Sequence, residues 1–279
     1  MVRIITDSLC DLTMEDAQKM NIDIMPLYVR FGKDEYRCGV DLSNEEFYSK
    51  LEASSEAPTT AAVNPYEFEE IFQRYLEAGD DVVAILFSRY MSTTYQSATI
   101  AAENFETEHL HLIDCENGAM GQALLIATAV AIRDSGATAQ QLCDRIRNLL
   151  PRTMTYMIVD NMDYLHQGGR ISASADEVNE TVRIHPVLRL LPDGVKPLDK
   201  VRGRKSSNAW LVNRLKEYPA DTDYKLVIGH SNAIERAETL RDQIRAAGIE
   251  NEILITCIAP IVGTHIGPNS IGIGYILAE

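Results

Sequence analysis

His265 stands in the segment IVGTHIGPNSIGIGYI, residues 261 to 276, with Gly263, Gly267, Gly272 and Gly274 around it. An imidazole offers a donor that can become positive near neutral pH, and glycine lets a backbone turn through positive φ or approach a ligand closely. The segment therefore suits the carboxylate or phosphate of a ligand. Other segments carry similar chemistry. ITDSLCDL at 5 to 12 is a strand that breaks into Asp7 and Ser8, and FSRYMSTTYQSA at 87 to 98 is a strand that breaks into hydroxyls. DNMDYLHQGGRIS at 160 to 172 places Arg170 after two glycines. Asp7 and Ser8 sit where sites form, but a short acidic side chain at a strand end caps local backbone amides, so both stay out of the candidate binding set. Ser92 has two compatible readings, as N-cap of a helix starting near residue 94 and as a donor at a helix N-terminus that attracts anions.

Ser92 and His265 also allow a second chemistry. Nucleophile and base can be distant in sequence, so acyl transfer with Ser92 attacking and His265 as base is an alternative. The absence of a Gly-x-Ser-x-Gly elbow weighs against it. No Gly-x-x-x-x-Gly-Lys-Ser/Thr run and no Gly-x-Gly-x-x-Gly after a strand is present, so nucleotide chemistry would have to come from a partner. The six histidines show no ligand-like clustering beyond His109 and His111, which argues against a metal site. The five cysteines are dispersed and form no Cys-x-x-Cys pair, as expected of reduced thiols.

The elements that must position these residues follow from periodicity and capping. VRIIT at 2 to 6 and DVVAILF at 81 to 87 read as buried strands, and IDIMPLYVRFG at 22 to 32 as extended chain. Thr13 starts a short helix, Ser43 and Glu46 form a capping box, and Pro65 occupies a first helical position in a helix that ends at Gly79. A helix from about 94, the strand HLHLID at 109 to 114 and a helix from about 118 complete an alternation that predicts a parallel sheet covered on both faces. Beyond residue 150, strands are expected at 155 to 160, 224 to 230, ILITCIA and IGIGYILA. Helices are expected at about 206 to 217, with the single Trp210, and from about Ala233 to Ala247. The fold class is α/β, with two α/β domains, 1 to 150 and 151 to 279, and a ligand cleft between them.

At 279 residues, 46% of them hydrophobic, the chain can build both cores. A balance of 26 basic against 41 acidic residues gives a formal charge of -15, which repels nucleic acid and anionic surfaces at long range. Lys196, Lys200, Arg202, Arg204 and Lys205, in the hairpin-like run DGVKPLDKVRGRK, form a local exception. No early apolar stretch resembles a signal peptide and no run of about 18 apolar residues could span a bilayer, so a cytoplasmic protein is expected.

Taken together, the segments at 5 to 12, 87 to 98, 160 to 172, 193 to 205 and 261 to 276 resemble the DegV family, the bacterial fatty-acid-binding proteins, over nearly the whole chain. The resemblance implies a non-catalytic subunit that buries a long-chain fatty acid and presents its carboxylate to a separate ATP-dependent fatty acid kinase subunit. It would carry the acyl phosphate toward phospholipid synthesis, with no cofactor beyond the bound acid. Ser92 matches the serine that contacts the ligand carboxylate, Thr60 the threonine that joins that network, His265 the histidine that bonds the head group, and Arg170 the arginine near the pocket mouth. The basic turn, with Arg202, Arg204 and Lys205, would face the kinase or make transient contact with the membrane surface. A stand-alone lipid sensor needs the same pocket and remains a further alternative.

The chain also departs from the family pattern. Thr93 stands where the family has glycine, and a β-branched residue resists positive φ. Ala61, Ala62 and Val63 replace polar positions beside Thr60, and His185 stands where lysine is common. SASADEVNETVRIHPVL after Arg170 is more polar than the usual apolar helix.

Overall fold

The computed structural model describes residues 1–168 and 184–279. Strand β1 (Val2–Asp7) leads into helix α1 (Met14–Met20), strands β2 (Asp23–Met25), β3 (Tyr28–Phe31) and β4 (Asp34–Arg37), helix α2 (Asn44–Ala53), strand β5 (Thr59–Ala61) and helix α3 (Pro65–Glu77). Strand β6 (Asp81–Leu86), helix α4 (Thr94–Ala102), strand β7 (Leu110–Asp114) and helices α5 (Met120–Asp134) and α6 (Ala139–Leu149) follow. Then come β8 (Thr153–Ile158), α7 (Met162–Gly168), β9 (Ile184–Leu191), β10 (Gly194–Arg202), α8 (Arg204–Glu217), β11 (Leu226–His230), α9 (Ile234–Ala246), β12 (Ile253–Cys257), α10 (Pro260–Ile266) and β13 (Ile271–Ile276).

Helix starts obey local chemistry. Thr13 with Asp16, Ser43 with Glu46, Asn64 with Glu67 and Thr138 with Gln141 each form a reciprocal capping box, and Pro65 takes the first turn of α3. The extended stretch from 22 to 32 divides into β2 and β3 at Pro26, which has no amide to give a ladder.

Strands β2, β1, β6 and β7 lie in that order in an all-parallel sheet. Alternation divides its two faces. Ile4, Val83, Ile85 and Ile113 pack with residues of α1, α5 and α6, while Ile5, Val82, Ala84 and Leu86 pack with Phe47, Phe68, Phe72 and Ala98 on the other side. A three-stranded antiparallel sheet, β4-β3-β5, adjoins the second face. The remaining strands form a six-stranded mixed sheet, β10-β9-β8-β13-β11-β12, in which only β11 and β12 run parallel.

Helix α5 joins the two large sheets. It is buried from Met120 to Ala127, contacting β1 on one side and β8, β11 and β13 on the other, as a helix apolar all round must. Its first residue explains the glycine pattern near the C-terminus. A Cβ on Gly229 would lie 2.3 Å from Met120 Sδ, one on Gly272 2.4 Å from Met120 Cε, and one on Gly274 2.8 Å from the Met120 carbonyl carbon. Gly272 and Gly274 therefore serve sheet-to-helix packing and not a ligand, a correction to the reading of that segment as a site throughout. His265 itself lies on α10, a helix that the glycine spacing concealed.

Candidate functional site

A cavity of about 400 Å³ opens where the carboxyl ends of β1 and β6 meet the mixed sheet. Leu9, Phe87 and Ala119 come from loops at the parallel sheet. Met157, Leu188, Leu190 and Val195 come from the mixed sheet, where Met157 pairs with Leu188 and Leu190 with Val195 in register. Helix α10 contributes Ile261, Val262, His265 and Ile266. The lining is largely apolar, and its size is that of an ordinary small-molecule site.

Against this apolar surface the structure brings together three of the four residues expected to touch a ligand. Thr60 arrives on β5, Ser92 on the turn after β6, and His265 on α10; all three are half-buried and line the cavity. Arg170, the fourth, and the polar segment from 173 to 181 lie outside the described residues. The Ser92 hydroxyl accepts the Thr94 amide at 3.2 Å and lies 3.0 Å from Thr94 Oγ1, so it ties the turn into α4 while lining the cavity; the N-cap position expected for it is held by Thr93. Thr93 has φ -80° and ψ 0°, so the threonine in place of the family glycine needs no positive φ and carries no strain there.

The cavity floor rests on two buried carboxylates. Asp7 accepts the Leu9 amide at 3.1 Å and the Phe87 amide at 2.8 Å, with Gln122 Nε2 donating at 3.2 Å. It thereby ties together the two loops that carry lining residues Leu9 and Phe87. Burial pushes its carboxyl up to about 6, against the pull of those hydrogen bonds. Asp11, at φ 57°, accepts the amide of Ala259, the residue that caps α10, at 2.9 Å. Burial raises it to about 8. Ser8 accepts the Leu27 amide at 2.9 Å. The capping role expected of Asp7 is the one observed, whereas the Asp11 contact with α10, made across 248 positions of sequence, had no local signal. Arg89, in the same segment as the Ser92 hydroxyl, also lines the cavity and carries no motif that marks it.

The basic turn sits apart from the cavity lining. Arg202, Arg204 and Lys205 are exposed at the end of β10 and the start of α8. Arg204 Nη2 bonds Asp160 Oδ2 at 3.0 Å, and Asp160 also lies 3.6 Å from His185 Nδ1 and 3.9 Å from Arg236 Nη1. Lys196 pairs with Asp193. Among the described residues no cluster of three His, Cys, Asp or Glu could hold a metal, and no helix is long and apolar enough to cross a membrane.

Fold and cavity together define an α/β protein with a largely apolar pocket whose lining includes hydroxyls and an imidazole. The chain belongs to the DegV family: the model of that family, described as an uncharacterised protein, matches residues 1–278. A DegV domain-containing protein of Halalkalibacterium halodurans is 32% identical, with 100% of this chain and 99% of the relative covered. One from Caldanaerobacter subterraneus subsp. tengcongensis is 30% identical over 98% of each. Among solved structures, a stearic acid-binding protein of Eubacterium ventriosum superposes with a TM-score of 0.89 at 25% identity, covering 99% of this chain and 98% of that one. A DegV family protein of Thermus thermophilus, described for its fatty acid binding, gives 0.90 at 22% identity over 99% of each chain.

Proposed function

We propose that the protein buries a long-chain fatty acid in this cavity, with the carboxylate held by Thr60, Ser92 and His265, and Arg170 at the mouth. The observation that carries the reading is the convergence of those three side chains from β5, the β6–α4 turn and α10 on one largely apolar cavity. The stearic acid bound by the Eubacterium ventriosum relative supports the ligand class. The energetics are consistent with it. Burying roughly a dozen methylenes at about 0.8 kcal/mol each gives the tail a large gross driving force. A buried carboxylate without partners is costly, and each hydrogen bond to a charged group returns about 1.5–3 kcal/mol.

In this reading the protein performs no catalysis of its own. It presents the carboxylate to a separate ATP-dependent kinase subunit in the cytoplasm and carries the acyl phosphate toward phospholipid synthesis. Arg202, Arg204 and Lys205 dock the partner or touch the membrane surface in passing. The two α/β domains, divided near residue 150, flank the ligand.

Equilibrium titration with palmitate or oleate tests the binding half: wild type should bind one equivalent, and Ser92→Ala and His265→Ala should bind more weakly. Saturable binding unaffected by either substitution would remove the head-group assignment. Incubation with acid, ATP and a lysate of the native host tests the partner half, through formation of acyl phosphate that depends on this chain. Arg202→Glu should abolish that dependence while sparing acid binding.

A further inference from the structure

Arg89 is the feature of the cavity that hydroxyls and imidazole do not account for. It stands on the turn from Ser88 to Ser92, where the Met91 and Ser92 amides both donate to the Ser88 carbonyl, at 3.0 and 3.1 Å. Arg89 and Ser92 thus share one tight turn and line one cavity. The guanidinium is held in place from two sides. Its Nε donates to Asp114 Oδ2 at 2.5 Å, and its carbon lies 4.8 Å from the centre of the Tyr95 ring. Asp114 is in turn anchored, its other oxygen accepting the Glu116 amide at 2.9 Å.

The two partners differ in exposure. The Asp114 side chain is 5% exposed and that of Arg89 55%, so the carboxylate is sunk in the protein and the cation turned outward. Guanidinium carries five N–H donors, and Asp114 uses the one on Nε. Among the described residues neither Nη makes a hydrogen bond, which leaves the planar fork that fits a carboxylate or phosphate.

We propose that Arg89 is a specificity-determining residue of the cavity, pairing through its Nη groups with the anionic head of the ligand and so selecting long-chain acids over neutral lipids of equal length. The inference rests on the fatty-acid reading of the cavity. Asp114 and Tyr95 fix the guanidinium in advance, so little side-chain freedom is lost when the anion arrives.

The test compares a fatty acid with the alcohol of the same chain, both titrated into wild type, Arg89→Gln and Arg89→Lys at low salt. Arg89→Gln should lower affinity for the acid about tenfold and leave the alcohol within about twofold, and Arg89→Lys should retain part of the preference. Because Arg89→Gln leaves Asp114 buried without its cation, the double variant Arg89→Gln/Asp114→Asn is titrated alongside, and it should show the same selective loss. Equal losses for acid and alcohol, or no loss for either, would assign Arg89 to Asp114 alone and overturn the proposal. Wild type that binds neither lipid would overturn the fatty-acid reading beneath it, an outcome distinct from a wild type that binds the acid regardless of residue 89.

Discussion

The floor of the cavity and its polar lining use the same kinds of residue for opposite ends. Beneath the lining, Asp7, Asp11 and Ser8 are buried and bound to backbone amides, those of Leu9, Phe87, Ala259 and Leu27. In the lining, Thr60, Ser92 and His265 are half-buried and Arg89 is exposed, and all four face the cavity. Beneath the lining, a polar side chain that accepts amides from distant loops holds those loops in place. One that lines the cavity, half-buried or exposed, is in reach of whatever fills it.

The sharpest way to break this contrast is at Asp7. Asp7→Ala leaves two buried amides without an acceptor and should cost about 3 kcal/mol in denaturant unfolding, with Asp7→Asn milder because one acceptor oxygen remains. A variant that unfolds like wild type but fails to bind acid would move Asp7 into the ligand site. Next is Gly272→Ala, whose added carbon overlaps Met120; overpacking there should cost about 1–3 kcal/mol with ligand affinity retained. Lost affinity at unchanged stability would return the C-terminal glycines to the site. In the polar lining the pattern reverses: Ser92→Ala or His265→Ala should weaken acid binding about tenfold, about 1.4 kcal/mol. The cost in stability should stay near 0.5–1 kcal/mol for Ser92, through the Thr94 amide it accepts.

A further effect concerns pH. Burial raises Asp11 from 3.8 to about 8, so between those values the folded protein holds a proton that the unfolded chain has released. Stability therefore falls as pH rises across that window, and Asp7 adds a decline of the same sign up to about pH 6. Asp11→Asn keeps an acceptor for Ala259 and should flatten the fall between pH 5 and 8, measured by melting temperature. Parallel profiles for variant and wild type would show that Asp11 is ionised in the folded state.

Much of the scaffold was legible in the residues. Capping at Thr13, Ser43 and Pro65, and the unbroken apolar run from Val82 to Leu86, are local signals that survive into the fold. What escaped was set by distant partners. Gly272 and Gly274 looked like ligand glycines because spacing does not reveal whether a ligand or Met120 fills the gap. The short strands β4 and β5 owe their existence to pairing with β3, and the order of the mixed sheet rests on contacts far apart in sequence. His265 in its glycine-rich setting and Ser92 in its hydroxyl turn stood out locally, whereas Thr60 and the roles expected of all three came from family resemblance. Arg89 lay in plain view, but only the burial of Asp114 on another strand shows which way its charge is presented.

The central claim is that the cavity holds one long-chain acid, and native mass spectrometry of the protein purified from a bacterial host tests it most directly, with denaturing spectra and lipid extraction alongside. The expected result is a mass increment of one fatty acid per chain under native conditions, released on denaturation and recovered as the free acid. A protein that emerges empty and stays empty when palmitate or oleate is added would contradict it.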